Sequence, residues 1–404
     1  MKEQFILAIT GISICFGAMS CSDSDDDIKP DPVPLPFLLT DDELAITKGC
    51  NDFAFDVLKE VVNSDEFANS NFLISPIGVN QTYAMIANCA NSETQAKLTE
   101  TLGYRELSIE QVNSFNKKIM DELIGGNHTK SLYFANSVWT EADISLPGDF
   151  ASTSSLYYNN VVNKINEPTF INDINNWCNN KTDGKINNFI DGTETVPDIS
   201  VGNVVYFSGK WSVADKFDIT KIKEGYFWDN NGVITSVQFL RNKKNMLYYE
   251  TATMQKCALE FGGGSFMAAF ILPKKGVSLG QAVDALTDGG WKILWYYDDN
   301  VVVDLSLPKF KIESQIDLEQ ILPDFDMAGI LGASSDDHVS IAKQKNGFEL
   351  TEQNTPSWPG YIPDITTSSD KEVTMTFDRP FIYVVYQKWI GAILFAGCIN
   401  TFAE

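Results

Sequence analysis

The stretch FDRPFIYVVYQKWIGAILFAG, residues 377–397, decides the fold of this chain. Its run PFIYVVY is rich in β-branched and aromatic residues, which is typical of a strand. The chain therefore ends in strands. Just before them lies TEQNTPSWPGYIPDITTSSDKE, residues 351–372, with three prolines, a single tryptophan and a run of Thr and Ser. Loops longer than roughly 15 residues in compact domains are mostly functional or disordered, so this segment bears directly on function.

The rest of the chain places helices first and strands afterwards. Helical spacing of apolar residues predicts a helix over 41–69, and Ser75 as N-cap with Pro76 at the first helical position predicts another from Ile77 to about Ala90. Further helical patterns cover 92–102, 109–124 and 173–182. From Val201 onward, runs of β-branched and aromatic residues predict strands. This order predicts an α+β fold with large mixed or antiparallel sheets.

Composition limits the possible functions. The chain has 404 residues, 44% of them hydrophobic, enough for one large core or two ordinary ones. Its 30 basic and 54 acidic residues give a net charge of −24, which disfavours binding to nucleic acid or to anionic lipid headgroups. With two histidines and no zinc-binding or nucleotide-binding motif, the sequence predicts neither a metal nor a cofactor.

The N-terminus has the pattern of an export signal. A short apolar run after Met1-Lys2 is too short for a spanning helix, so residues 1–20 are predicted to be a lipoprotein signal peptide. GAMSC resembles a bacterial lipobox ending at Cys21, the predicted lipidation site, and an ordinary secretory signal is the alternative. Residues 21–40, acidic and then proline-rich, are predicted to form an extended tether. The expected location is the outer membrane, with the lipid as the only membrane contact and the domain exposed at the cell surface.

Five cysteines lie beyond this segment. Their wide spacing forms no recognisable disulfide framework. Burial as small apolar side chains is the favoured interpretation, and one or two disulfide bridges are the alternative. These cysteines are Cys50, Cys89, Cys178, Cys257 and Cys398.

Five motifs in a fixed order resemble those of the serpin family, from about residue 41 to the last residue. They are Asn71…Ser75-Pro76 with Ala84-Met85 and Ala90…Thr94; Trp177 with KTDGKI (181–186); NVVYFSGKW (203–211); LPKF (307–310); and DRPF (378–381) with GAILFAG (391–397). Each motif is weak alone. Their common order implies the serpin-like α+β fold, in which N-terminal helices pack on large sheets and a reactive-centre loop is exposed near the C-terminus. A single domain over residues 41–404 is therefore expected.

The resemblance implies a mode of action. In the family, a protease cleaves the exposed loop, here about residues 354–371, and the freed N-terminal part of the loop inserts as a new strand in the central sheet. The acylated protease is dragged along and deformed. The implied role is inhibition of a serine or cysteine endopeptidase by a monomer that has no catalytic residue of its own.

The resemblance also assigns buried residues around the point where the sheet opens. Ser75 and Asn203 would form a polar cluster there, with Gln344 in the position where the family usually has a histidine. Trp211 would pack at the top of the sheet. The alternatives are that Ser75 is only a helix cap, that Asn203 is an ordinary strand residue and that Trp211 is ordinary core packing.

The hinge of the loop departs from the family pattern. Inhibitory members usually carry a sequence like Gly-Thr-Glu-Ala-Ala-Ala, whereas this chain has Asn354, Thr355, Pro356, Ser357, Trp358, Pro359 and Gly360. Thr355 and Ser357 suit an inserting strand. Together with Pro363, the two hinge prolines remove three N–H donors, and Trp358 adds bulk. If insertion is slower than deacylation, the protease escapes, so a non-inhibitory serpin acting as protease substrate or binding module is the alternative.

Two ways of counting give two scissile positions. Counting fifteen residues from Asn354 ends at Ser368, and counting back from Arg379 gives Ser369. The small residues from Thr366 to Ser369 suit an elastase-like or broad cysteine protease pocket. Lys371 would suit a trypsin-like pocket if the register slips by two. The candidates are Thr367, Ser368, Ser369, Asp370 and Lys371.

An enzyme with His128 or His338 as its base is the competing interpretation. The chain contains no GxSxG nucleophile motif, and both histidines lie in polar loop contexts. Solvated roles are therefore favoured for both, and no enzymatic activity is expected.

Overall fold

The computed structural model describes residues 36–64, 70–125, 132–209, 211, 217–261, 265–287, 295, 299–333, 340–352 and 371–403. The chain separates into two units, Met1–Asp31 and Pro32–Glu404, and all the described residues belong to the second. Among them, no helix combines the length and the apolar character that crossing a membrane requires. The predicted signal peptide and Cys21 lie outside the described residues.

The described residues form nine α-helices, six of which lie before residue 199. They are α1 (Asp41–Asn63), α2 (Pro76–Ile86), α3 (Ser92–Thr101), α4 (Ile109–Gly125), α5 (Phe150–Tyr158), α6 (Phe170–Lys181), α7 (Leu279–Ala285), α8 (Leu318–Ile321) and α9 (Met327–Ile330). Helix α1 starts where predicted because Thr40 forms a capping box with Glu43. Helix α2 ends before the predicted Ala90, since the backbone continues there in tighter turns, with the amide of Cys89 bonding to the carbonyl of Ile86. Helix α5 was not predicted, because FASTSSLYY lacks a clear apolar stripe.

Strands dominate after residue 199, but three of them lie among the helices before it. The strands are β1 (Phe72–Ile74), β2 (Leu132–Thr140), β3 (Asn160–Lys164), β4 (Ile199–Phe207), β5 (Lys223–Trp228), β6 (Ile234–Glu250), β7 (Met254–Phe261), β8 (Phe266–Pro273), β9 (Asp299–Pro308), β10 (Phe310–Asp317), β11 (Ser340–Leu350), β12 (Glu372–Thr376), β13 (Phe381–Gln387) and β14 (Ile393–Ile399). Strand β2 was not predicted, because both of its faces are largely buried and its residues therefore do not alternate between apolar and polar.

The strands form two sheets. The central sheet has five strands in the order β10-β11-β4-β2-β3, and the second sheet has nine, in the order β1-β14-β13-β8-β7-β6-β9-β12 with β5 paired to β6. Each sheet mixes parallel and antiparallel pairs. The predicted α+β class with large mixed sheets is therefore confirmed.

The central sheet is covered on both faces. On one face, α6 packs through a small apolar cluster that includes Trp177, Tyr206 and Phe189. On the other face, Phe207 and Phe348 join the large core shared with the second sheet, where the rings of Phe348 and Tyr383 stack with centroids 5.5 Å apart. Because both faces are packed, the order of strands in this sheet can change only if the side-chain packing on both faces rearranges.

The five cysteines in the described part of the chain form no disulfide bond with one another. Cys178, Cys257 and Cys398 are buried, and Cys50 and Cys89 are half-buried. Burial raises the pKa of the Cys50, Cys89 and Cys178 thiols to about 12, which makes these thiols unreactive at neutral pH. They behave as small apolar side chains, as the favoured interpretation expected.

Candidate functional site

The central sheet contains a parallel junction at its middle, between β11 and β4. These strands pair directly from Ser340 opposite Ile199 to Phe348 opposite Phe207. On either side, β10–β11 and β2–β4 are antiparallel. We call this β11–β4 pairing the seam. The chain leaves β11 at Leu350, so a strand that turned back there into the seam would run antiparallel to both neighbours.

A cluster of buried polar side chains lies against the seam. The side-chain amide nitrogen Nε2 of Gln344 donates to Asn203 Oδ1 at 2.9 Å and to the carbonyl of Ser75 at 2.9 Å. Gln344 Oε1 accepts from the amide of Ser75 at 2.9 Å. All three residues are fully buried, and Gln344 and Asn203 face each other across the seam. The structure thus brings these three predicted residues together, and a glutamine closes the cluster. We call Ser75, Asn203 and Gln344 the seam cluster.

Ser75 has two roles at once. Its hydroxyl accepts from the amide of Gly78 at 3.3 Å, which caps α2, and donates to the carbonyl of Leu394 in β14 at 2.7 Å. Its backbone amide and carbonyl both bond to the side chain of Gln344 in the seam cluster. The cap and the cluster are therefore compatible, and Ser75 ties α2 to both sheets.

Sequence reasoning missed two further members of this network. Asn346 Nδ2 donates to Gln344 Oε1 at 2.9 Å, and Asn136 Oδ1 accepts from Asn203 Nδ2 at 2.9 Å. Asn346 follows Gln344 by two residues and so shares its face of β11, a signal that the sequence offers. Asn136 becomes visible only through the register that sets it opposite Asn203 in β2.

Trp211 joins the top of the central sheet to the root of the loop. Its ring is buried and stacks on Phe261 with centroids 4.2 Å apart. Its indole nitrogen Nε1 donates to the carbonyl of Thr351 at 3.0 Å. Thr351 is the residue directly after β11, so this bond holds the point where the chain leaves the sheet.

An ion pair secures the next residue. The carboxylate of Glu352 lies 2.7 Å from Lys309 Nζ, with the two side chains 15% and 24% exposed. Burial acts to raise the pKa of Glu352, but hydrogen bonds from Lys309 and from the backbone outweigh it, so the pKa lies below its usual value. Lys309 belongs to the LPKF motif, which accounts for its place beside the loop root.

The loop itself falls mostly outside the described residues. The predicted loop residues outside the described ranges are Asn354 through Gly360, Pro363 and Thr366 through Asp370. Both histidines, which lie elsewhere in the chain, are also outside the described ranges. Lys371 is described: its carbonyl accepts from the amide of Val302 at 3.2 Å, and its ammonium lies 3.5 Å from Glu250. The loop thus returns to the edge of the second sheet at β12. Within the described ranges, no group of His, Cys, Asp and Glu residues could hold a metal ion.

The structure thus combines a two-sheet α+β fold with a parallel seam, and the chain leaves β11 beside this seam through Thr351 and Glu352. The family model described as Serpin (serine protease inhibitor) matches residues 48–401. The chain therefore belongs to the serpin family. Serpins are protease inhibitors and not enzymes, which excludes the interpretation based on His128 or His338.

Relatives and solved structures agree with this assignment. Serpin B10 of Sorex araneus is 24% identical over 87% of this chain and 98% of its own length. Serine protease inhibitor 2 of Anopheles gambiae is also 24% identical, over 87% and 91%. Tengpin, a thermophilic serpin in the native state, matches with a TM-score of 0.76 and 26% identity over 93% of this chain and 98% of its own. Arabidopsis AtSerpin1 in its native stressed conformation has a TM-score of 0.79, with 21% identity over 90% and 99%.

Proposed function

We propose that this protein inhibits a serine or cysteine endopeptidase by loop cleavage and strand insertion, from a lipid-anchored position at the bacterial cell surface. The seam carries this proposal. Insertion would replace one parallel pairing by two antiparallel ladders, which exchange backbone hydrogen bonds in better geometry. Strand β11, which ends at Leu350, already forms one side of the seam. After cleavage, the chain that follows Leu350 would therefore need only to turn back on itself to enter the seam.

The seam cluster is compatible with such an opening. Amide side chains hold the two strands together by directional bonds, and a displaced amide finds new donors and acceptors in the backbone of an incoming strand. An interlocked apolar contact in the same place would lose its packing outright when the strands part. The cluster therefore favours a seam that is closed but can exchange its partners.

The hinge opposes insertion in proportion to its prolines. Each of Pro356, Pro359 and Pro363 withholds one ladder bond, which forfeits roughly 1 kcal/mol per residue. These losses slow or weaken insertion relative to deacylation. The fraction of encounters that end in a trapped protease, rather than in a cleaved inhibitor, is the quantity that this hinge reduces.

A protease panel tests the inhibitory function directly. The full chain is incubated with serine and cysteine proteases, and the products are separated on a denaturing gel. We expect a covalent adduct larger than the protease, with the new C-terminus mapping between residues 366 and 371. A protease whose nucleophile has been replaced by alanine is the control, because it binds without acylation and gives no adduct.

Replacing the prolines separates slow insertion from absent insertion. The triple variant Pro356→Ala/Pro359→Ala/Pro363→Ala restores three donors, and we expect a larger adduct fraction than in the unchanged chain. If neither chain forms an adduct and cleavage is complete, the inhibitory proposal is wrong.

A protease substrate or non-inhibitory binding serpin is the second candidate, and the prolines of the hinge are what favour it. Melting temperatures before and after loop cleavage discriminate the two functions. An inserting loop adds a strand to the central sheet and should raise the melting temperature by tens of degrees, because the inserted strand gains two ladders and buried contacts. A loop that stays outside should leave the melting temperature nearly unchanged.

The anchor is tested separately. Cys21→Ser should release the protein from the membrane fraction of its host, because the thiol that carries the lipid is lost. External protease applied to intact cells should remove the unchanged protein if the domain faces outward. Retention of Cys21→Ser in the membrane would contradict the anchor, and protection of the unchanged protein would contradict surface exposure.

A further inference from the structure

The described chain enters α1 through an extended segment whose side chains alternate. Phe37 and Leu39 are half-buried and pack against the core, whereas Pro36, Leu38 and Thr40 are exposed. Leu38 is 78% exposed. A period of two indicates extended backbone lying flat on a surface. Residues 36–40, which the sequence assigned to the tether, are thus fixed on the body of the domain.

Phe37 occupies one end of a groove between α4 and α5. There it lies beside Lys117, Lys118 and Tyr157, and the Lys118 ammonium is 5.9 Å from the centre of its ring. Lys118 also pairs with Glu43 of α1 at 2.6 Å. Lys118 of α4 thus contacts both Phe37 and helix α1.

The groove continues past Phe37 towards the C-terminal end of α4. Its second part shares Lys117, Asp121 and Tyr157 with the first and reaches Ile124 and Leu156. We call the whole depression the α4–α5 groove. Ile124 is 41% exposed and Leu156 is 59% exposed. The far half of the groove therefore presents apolar side chains that the described residues leave open to solvent.

We propose that residues 32–36 of this same chain occupy the α4–α5 groove, with Val33 and Leu35 directed into it. Both residues are in phase with Phe37 and Leu39, because an extended chain places every second side chain on one face. Both also precede a proline, which restricts them to extended conformations. The alternating pattern of residues 36–40 thus continues backwards into an apolar, pre-extended segment.

The length of segment 32–36 and the small number of its backbone N–H donors both fit the α4–α5 groove. Five residues in an extended conformation of period two span about 16 Å, and α4 rises about 9 Å from Lys118 to Ile124. Prolines at positions 32, 34 and 36 have no N–H group, so the segment needs no neighbouring strand to satisfy its backbone donors. The domain would then begin at residue 32, where the second unit of the chain begins, and not at residue 41.

Hydrogen exchange on the full chain tests this docking. Val33→Ser/Leu35→Ser should speed amide exchange roughly tenfold in the last turn of α4 and in α5, since weakened docking opens these helix ends to solvent. The melting temperature should fall by about 3 °C. Leu38→Ser is the matched control, because it changes the same residue type on the exposed side of the same segment and should do neither.

Combining both sides of the contact sharpens the test. Leu156→Ser and Val33→Ser/Leu35→Ser should each lower the melting temperature, and together they should lower it by less than the sum, since they remove one shared contact. Strict additivity, or a tether variant that behaves like Leu38→Ser, overturns the proposal. Exchange protection of the groove that rises with protein concentration also overturns it, because a second copy would then be the occupant.

Discussion

The two sheets differ at the places where their central strands meet. At the middle of the seam, one facing pair consists of amides, Gln344 and Asn203, joined at 2.9 Å. In the second sheet, β13 and β8 meet through apolar residues, with Val384 opposite Ala269 and Val385 opposite Ala268, all nearly or fully buried. The middle of the seam thus has directional side-chain bonds, whereas these pairs of β13 and β8 meet by close packing.

The difference bears on the strand insertion proposed above, which requires the seam to open. Apolar packing is nondirectional and requires full contact, so parting β13 from β8 would lose it all. A buried hydrogen-bonding group that loses its partner costs the folded state free energy, whereas a group that exchanges one partner for another costs little. The seam cluster is therefore buried but joined by bonds whose partners could be exchanged, whereas parting β13 from β8 would expose buried apolar side chains. Four variants can break or sharpen this contrast.

The largest effect is expected at Gly78, which lies beneath the seam cluster. A Cβ at this position would fall 2.5 Å from both Asn203 Oδ1 and Gln344 Nε2, so Gly78→Ala must push the amides apart. We expect a loss of about 4 kcal/mol in unfolding free energy by urea titration, from overpacking together with broken hydrogen bonds. Gly192→Ala, where the new Cβ meets nothing within 4 Å, should change stability by less than about 0.5 kcal/mol. Equal effects of the two variants would show that the seam tolerates displacement of its amides.

Gln344 separates hydrogen bonding from volume. Gln344→Leu keeps the volume but orphans the amide and carbonyl of Ser75, so we expect a loss of about 3 kcal/mol in unfolding free energy. Val384→Ala in the second sheet removes volume alone and should cost about 2 kcal/mol. Denaturant titrations of both variants compare the two junctions directly. A neutral Gln344→Leu would mean that packing, not polar bonding, holds the seam.

Trp211→Phe tests how firmly the loop root is held. The variant keeps most of the stacking on Phe261 but loses the donor to the carbonyl of Thr351. We expect a loss of about 1 kcal/mol and faster cleavage of the loop in limited proteolysis. Trp139→Phe is the matched control, because the described residues provide no acceptor for the Trp139 indole N–H. Similar proteolysis of the two variants would leave Trp211 as ordinary core packing.

The smallest effect is the pH dependence of the Glu352–Lys309 pair. Because the pKa of Glu352 is lowered in the folded state, its stabilisation is present above the unfolded pKa and is lost as the pH falls through the folded pKa. The pair is partly exposed, so its contribution should stay below about 1 kcal/mol. Glu352→Gln should therefore flatten the fall in melting temperature between pH 5 and pH 3 slightly. An unchanged slope would assign the acid sensitivity to other carboxylates.

Much of the fold could be predicted from local signals. The start of α2 follows from Ser75 and Pro76, whose cap and fixed backbone angle act within one turn. The strands after residue 199 follow from dense β-branched and aromatic residues. Helix α5 and strand β2 could not be predicted, because tertiary burial overrides a weak periodicity in the first and removes alternation in the second.

The candidate site likewise contains some residues that the sequence predicted and others that it could not predict. The motifs singled out Ser75, Asn203 and Trp211, and the family resemblance placed Gln344 by its distance from the loop. Asn346 was within reach through its spacing from Gln344. Asn136 and the bond from Trp211 to Thr351 were out of reach, because strand register and the path of a loop root depend on contacts between residues far apart in the chain.

By itself, the sequence determined the class of fold, the order of its motifs and the proline content of the hinge, since each rests on residue type and short spacing. Only the tertiary structure decided that β11 and β4 run parallel and in contact, that their facing amides bond to each other, and that Phe37 lies in a groove between two helices. These arrangements bring together groups far apart in the chain, by 141 residues in the case of Gln344 and Asn203. Their free energy arises from burial and register, which no local pattern specifies.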